Sequence, residues 1–223
     1  LSQLSFPFQT TSTPYREEDF LLLAENSSAV NFLKKFFAQE NFSKSQFPSV
    51  ILKAAPFAGK THLLHIFAKK FSAEFLEKEK ISNVNPADFF SENKFYILED
   101  VNEIADEELL LRLINSAFES GAFLILSANS LAQFRLKDLT SRLKNIFTVE
   151  IKNPSHESIK QLLVNGFARR QIKVSRQVTD LISDRIDRSY EAIFAAVKKV
   201  ESRCQEGGKN LSVREVGEIV FSC

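Results

Sequence analysis

The residues with the clearest chemistry lie in Ala54-Ala55-Pro56-Phe57-Ala58-Gly59-Lys60-Thr61. The apolar run Val50-Ile51-Leu52 precedes them, and a helical pattern (Leu63, Leu64, Phe67, Ala68) follows. A strand, a glycine-bearing loop ending in Lys-Thr, and then a helix is the layout of a phosphate-binding P-loop. Such a loop turns backbone N–H groups and a helix N-terminus toward phosphate oxygens. Ala54, Phe57, Ala58, Gly59, Lys60, Thr61 and His62 therefore form the candidate nucleotide-binding set. Lys60 would reach the terminal phosphates, and Thr61 would offer its hydroxyl to Mg²⁺. Ala54 stands where the pattern usually has its first glycine. Alanine is small enough for the position but disfavours a positive φ, so a differently shaped loop is expected.

Four further groups could complete such a site. Glu99-Asp100 closes the apolar run Phe95-Tyr96-Ile97-Leu98, and acids at a strand end can hold Mg²⁺ and orient water. Here Glu99 is the metal candidate and Asp100 its catalytic neighbour. Asn129, in Ser127-Ala128-Asn129 after the next strand, could sense a γ-phosphate or hold the attacking water. Arg142, in Ser141-Arg142-Leu143, could reach a neighbouring subunit's nucleotide as an arginine finger. Arg188, with Arg185 close by, could project onto the phosphates from a covering helix. Taken singly, each has a plainer reading as solvated acids, a turn-forming Asn or surface arginines. The segment Gln3-Leu4-Ser5-Phe6-Pro7-Phe8 carries apolar anchors on a polar stretch, as a peptide that docks into another protein's pocket would. Folding back onto its own domain is the equal alternative.

The elements that must position these residues alternate. Strands are expected at 49–54, 81–84, 95–98, 123–126 and 147–151, with helices at about 60–78 and 107–120 between them. Ser27 reads as the cap of a first helix carrying Ala29, Phe32, Leu33, Phe36 and Phe37 on one face. After Asn153-Pro154 the pattern is helical only. Ser155 and Ser175 cap two helices, to about 171 and 186, and Arg188 opens a third, to about 203. Ser212 with Glu215 forms a capping box for the last. The prediction is an α/β fold with a five-stranded parallel sheet flanked by helices, followed by a small α-helical lid. Residues 1–18 are then a tail, 19–152 the nucleotide-binding domain and 153–223 the lid.

Composition narrows the function class. The chain has 223 residues and a net charge of +1, so no global field draws it onto nucleic acid. No apolar run approaches the roughly 18–20 residues that span a bilayer, and no secretory signal opens the chain, so no membrane partner is expected. Cys204 and Cys223, far apart, fit a reducing, cytoplasmic location rather than a disulfide framework. Most of the 22 phenylalanines read as core.

Together these motifs resemble the AAA+ ATPases of the DnaA group, and within it the short Hda-type regulators, over nearly the whole chain. AAPFAGKTHLL is similar to the family's Walker A segment, ILEDVNEI to Walker B and SAN to sensor 1. LKDLTSRL resembles the box that holds the arginine finger, which places Arg142 there. IDRSYEAIF resembles the sensor 2 motif, which places Arg188 there. DFLLLAENSSAV puts Asn26 on the adenine-side segment, and QLSFPF is similar to a hexapeptide that holds the DNA polymerase sliding clamp. DnaA ends in a DNA-reading helix-turn-helix domain and lacks the clamp peptide; the resemblance to the short regulators implies the clamp peptide without such a DNA reader. The resemblance implies a protein that binds ADP or ATP with Mg²⁺. Its implied partners are the sliding clamp and the initiator DnaA, with DNA met only through the clamp and a homodimer left open. The implied role is negative regulation of replication initiation, by stimulating hydrolysis of the ATP held by DnaA. Ala54 and Glu99 depart from the family and imply weak turnover of the chain's own. The alternatives are a helicase-loader-like ATPase, a DnaA paralogue, and a clamp adaptor with an inactive nucleotide site.

Overall fold

The computed structural model describes residues 15–39, 48–81, 85–207 and 212–221. The segment Gln3 to Phe8 lies outside them. Five strands form one all-parallel sheet in the order β2-β3-β4-β1-β5: β1 (Ser49–Ala54), β2 (Glu74–Phe75), β3 (Phe95–Leu98), β4 (Phe123–Ala128) and β5 (Phe147–Ile151). The central strands are continuous apolar runs because both faces are covered. Ile51, Tyr96, Leu98, Leu124 and Leu126 face one core, with α3 (Lys78–Ile81), α4 (Glu107–Glu119) and α5 (Lys137–Asn145). Val50, Leu52, Ile97 and Ile125 face the other, with α1 (Ala24–Phe37) and α2 (Lys60–Phe71). Each fully buried Leu or Ile of this kind contributes about 1.5–3 kcal/mol. Several phenylalanines pack there too: Phe36, Phe37, Phe67 and Phe95 are buried and stack or meet edge to face.

After β5 the chain is helical: α6 (His156–Arg169), α7 (Arg176–Arg185), α8 (Tyr190–Gly207) and α9 (Val213–Phe221). These enclose a third core around Leu163, Phe167, Ile182 and Val200. The expected caps form: Ser155 Oγ accepts the Ser158 N–H, and Ser175 Oγ that of Val178. Ser212 and Glu215 cap reciprocally, with Glu215 N–H on Ser212 Oγ at 3.2 Å and Ser212 N–H on Glu215 Oε2 at 2.8 Å. This is the predicted architecture, a five-stranded parallel sheet flanked by helices and followed by a helical region.

Four expectations are corrected. The second strand is Glu74–Phe75, not 81–84; Ile81 instead ends α3 and is buried, dropping under the sheet edge. Helix α2 stops at Phe71 rather than running to 78, because Ser72 takes a left-handed turn (φ 55°) whose N–H caps Ala68 O. Helix α1 begins at Ala24, and its cap is not Ser27. Asn26 Oδ1 accepts the Leu23 N–H at 2.9 Å, while Ser27 Oγ donates back to Ala24 O. The described end of the tail, 15–18, is not a free extended segment. Tyr15 stacks on His65 with ring centroids 4.2 Å apart, and Arg16 O bonds His62 Nε2 at 2.8 Å.

Candidate nucleotide site

Strand order builds the site. β3, β4 and β1 are neighbours, and Lys53 is level with Ala128 and Leu98 with Leu126. The loops leaving their C-terminal ends therefore lie side by side, where open α/β sheets bind ligands. Those loops carry Glu99-Asp100, Asn129 and the 55–60 turn.

The turn is set by two left-handed residues, Gly59 (φ 86°) and Phe57 (φ 62°). Gly59 precedes the first turn of α2, and a Cβ there would sit 3.4 Å from the Phe20 ring. Ala54 is not one of them. It ends β1 in extended conformation, paired with Ile151 and 2% exposed, so the missing glycine does not reshape the loop. Ala58 is likewise buried in the core rather than turned to the site.

Lys60 is 7% exposed. Its Nζ donates to Ala54 O at 3.2 Å, to Ala55 O at 3.5 Å and to Asn129 Oδ1, with Asp100 Oδ1 4.0 Å away. Burial lowers its pKa, and the negative charges of Asp100, Glu99 and Glu103 oppose that fall. Asn129 is held in turn by its N–H on Asn102 Oδ1 at 2.9 Å. The Asp100 N–H donates to the buried Ser127 Oγ at 2.9 Å, and Asp100 takes φ 45°. Glu99 Oε1 is buried with no hydrogen-bond partner in the protein.

A cavity of about 670 Å³ opens above these groups, a size suited to a nucleotide. Phe57, Gly59, Lys60, Thr61 and His62 line one wall, with Asp100 and Asn129 at its floor. Six of the expected site residues are not in the lining. Ala54 and Ala58 are core. Asn26 is 4% exposed, its amide spent on Leu23 N–H and Leu21 O, so it shapes the chain before α1. Glu99 is absent from the lining, where Asp100 and Glu103 are the acids. Arg188 is exposed in the turn before α8; that helix starts at Tyr190, with Ser189 Oγ accepting the Ala192 N–H. Arg142 lies on α5, an element the sequence reading left unassigned. Its Nε and Nη2 donate to Asn115 Oδ1 at 2.9 and 2.6 Å, and its guanidinium lies 5.5 Å from the Phe118 ring centroid.

The opposite wall is helical, as the expected lid implies, but Arg188 is not among the residues it presents. Asn165 and Arg169 reach it from α6, Arg170 from the cap that ends that helix, and Tyr190 and Phe194 from α8. Gly166 lets α6 and α8 pack closely, since a Cβ there would meet Val197 Cγ2 at 3.1 Å. Arg170 is tied to Glu201 at 2.7 Å, and Arg169 lies 3.8 Å from Asp19. Tyr190 and Phe194 fall within IDRSYEAIF, but no motif marks the α6 positions, whose lining pattern emerges only once the helices dock.

The two walls are joined at Glu25. Its carboxylate accepts the Ser155 N–H at 2.9 Å and the Ser158 hydroxyl at 2.7 Å, and its carbonyl accepts the Lys152 N–H at 3.2 Å. Tyr190 OH donates to Lys152 O at 3.0 Å. Burial works to raise the Glu25 pKa, but the hydrogen bonds from Ser158 and Ser155 overcome it and hold the carboxyl at about 2. Burial, aided by the Glu25 charge, pushes the Tyr190 phenol up to about 12.

No family model and no curated protein matches the chain by sequence. Solved structures do match. Domain III of the Thermotoga maritima replication initiation protein DnaA superposes with a TM-score of 0.72 at 16% identity, covering 94% of this chain and 96% of that one. The Thermotoga maritima RuvB Holliday junction branch migration motor gives 0.65 at 14%, over 92% and 71%. A replication initiator DnaA bound to AMPPCP and single-stranded DNA gives 0.63 at 15%, over 89% and 69%. At these identities the likeness is one of fold: a five-stranded parallel sheet flanked by helices and followed by a helical region, shared with DnaA domain III and RuvB. No helix among the described residues is long and apolar enough to cross a membrane.

Proposed function

We propose that the chain is a nucleotide-binding AAA+ protein that acts, as Hda-type regulators do, in the control of replication initiation. The observation that carries nucleotide binding is the convergence of Lys60, Asp100 and Asn129 at the floor of a cavity bordered by the Gly59 turn. Lys60 is a buried ammonium resting on two carbonyls and an amide oxygen, and phosphate oxygens would be better partners for it. The residues present also fit Mg²⁺. Thr61 lines the cavity, Asp100 reaches it, and Glu99 holds a buried oxygen without a partner. No cluster of three or more metal-binding side chains occurs among the described residues, so phosphate oxygens would have to complete the ion's shell. A bound Mg²⁺–nucleotide would supply the charge that Lys60 balances. ADP or ATP is the ligand class; the DnaA structure bound to AMPPCP supports it by likeness of fold.

The finer reading places the consequential hydrolysis in a partner. Arg142 is outside this chain's own cavity, which accords with a finger offered to ATP held by DnaA, where it would stabilise transition-state charge. Gln3, Leu4, Ser5, Phe6, Pro7 and Phe8 would hold the sliding clamp and raise the local concentration near newly copied DNA.

Thermal melting with ADP and Mg²⁺ tests the nucleotide reading. At a hundredfold excess over Kd, linkage adds about 2.7 kcal/mol. For a chain of this size that is a rise of about 5–10 °C. No rise with millimolar ADP or ATP refutes it and favours the clamp adaptor with an inactive site. Capture on immobilised sliding clamp tests the finer reading, and loss of capture on Gln3→Ala with Leu4→Ala is the expected outcome.

A further inference from the structure

Phe57 is an unusual residue for its backbone. Its φ of 62° lies in the left-handed region, where a bulky side chain is strained. The residue is 55% exposed, yet it is not unpartnered. It stacks on Phe194 of α8, with centroids 4.6 Å apart and planes 15° from parallel. Phe194 is itself 39% exposed, and both rings line the cavity. One ring stands on the phosphate-loop wall and the other on the helical wall. The residue that follows Phe57, Ala58, is buried in the core.

We propose that Phe57 and Phe194 form an aromatic clasp across the cavity that slows release of a bound nucleotide. This rests on the nucleotide reading above. A ligand seated between the two walls leaves most readily when they part, and parting them breaks the stack. The strained backbone at Phe57 presents the ring to α8 instead of letting it fold into the core beside Ala58. The clasp therefore couples loop and helix through an aromatic contact. An offset-stacked pair of this kind corresponds to a factor of about 2–10 in rate if it is lost in the opening step.

The test is stopped-flow displacement of mant-ADP from the full chain by excess ADP. Phe194→Ala is expected to release mant-ADP about 2–10 times faster, and Phe57→Gly to accelerate release too. The double variant is expected to be no faster than the faster single one, because both remove the same contact. Phe194→Tyr keeps a stacking ring and is expected to release at close to the original rate. Unchanged release from Phe194→Ala, or multiplying effects in the double variant, overturns the clasp while leaving nucleotide binding intact. Failure of the unsubstituted chain to bind mant-ADP overturns the nucleotide reading and the clasp with it.

Discussion

Glu25→Gln tests the joint between sheet and helical bundle. Glu25 is 9% exposed, and two donors from the start of α6 converge on its carboxylate. Folding moves its pKa from an ordinary 4.5 to about 2. The folded value is the lower one, so the stabilisation is complete above about pH 4.5 and is lost as pH falls toward 2. The shift corresponds to about 3 kcal/mol at neutral pH, of which about 2 kcal/mol disappears between pH 7 and pH 3. A glutamine keeps one acceptor oxygen and the shape but cannot titrate. Urea unfolding of both proteins at pH 7 and pH 3 isolates the effect, because all other carboxylates cancel in the difference. The variant is expected to be less stable by about 2–3 kcal/mol at pH 7 and by about 1 kcal/mol at pH 3. An equal difference at both pH values would refute the argument, since it would mean that the Glu25 charge is not what the two serines hold.

Lys60→Met should leave the ligand-free protein as stable as before or slightly more so, because it removes a desolvated ammonium. It should also abolish the ADP-dependent rise in melting temperature, and a variant that keeps the rise would remove Lys60 from the site. Tyr190→Phe, which deletes the bond to Lys152 O, should cost about 1 kcal/mol in urea unfolding without altering the Glu25 pH window. Arg142→Ala should bind mant-ADP normally while losing stimulation of DnaA's ATP hydrolysis by about 10³ or more in a single-turnover assay. Full stimulation by that variant would end the finger reading. Ala54→Gly should leave ADP affinity unchanged and cost about 0.5–1 kcal/mol of stability, measured by the same melts. A clear gain in affinity would show that the alanine does constrain the loop.

The parts of the fold that were legible share a physical cause. β1, β3, β4 and β5 are continuous apolar runs because a parallel sheet covered on both faces tolerates nothing else there. Ser155, Ser175 and Ser212 were legible as caps because a helix start needs an acceptor at a fixed offset. Ser27 has the same chemistry, but Asn26 sits one residue nearer and bonds both Leu23 N–H and Leu21 O, so the helix begins earlier. β2 carries two residues at a sheet edge, too few to hold any period. The loops at strand ends revealed the floor of the site, since each follows its strand directly. The helical wall could not be read in the same way. Asn165, Arg170 and Phe194 face the cavity only because of how α6 and α8 dock, and Glu25 meets a partner 130 positions away.

The missing glycine shows how a motif departure should be weighed against backbone geometry. A glycine is required where φ is positive or where another chain passes too close for a Cβ. Neither holds at Ala54, which is a paired strand residue whose methyl fills the core. The demand for a positive φ falls further along the loop, on Gly59, where glycine is kept, and on Phe57, where it is not. The departure with consequences is therefore the phenylalanine, which no position-by-position comparison with the short motif would single out, because the motif leaves that position free. Its strain is sustained by a neighbour on α8, more than a hundred residues away in sequence. A loop so held is tied to the helical wall as well as to the sheet. Together with the Glu25 joint, this gives the cavity two separate couplings between its walls, one polar and behind the site, the other aromatic and lining it.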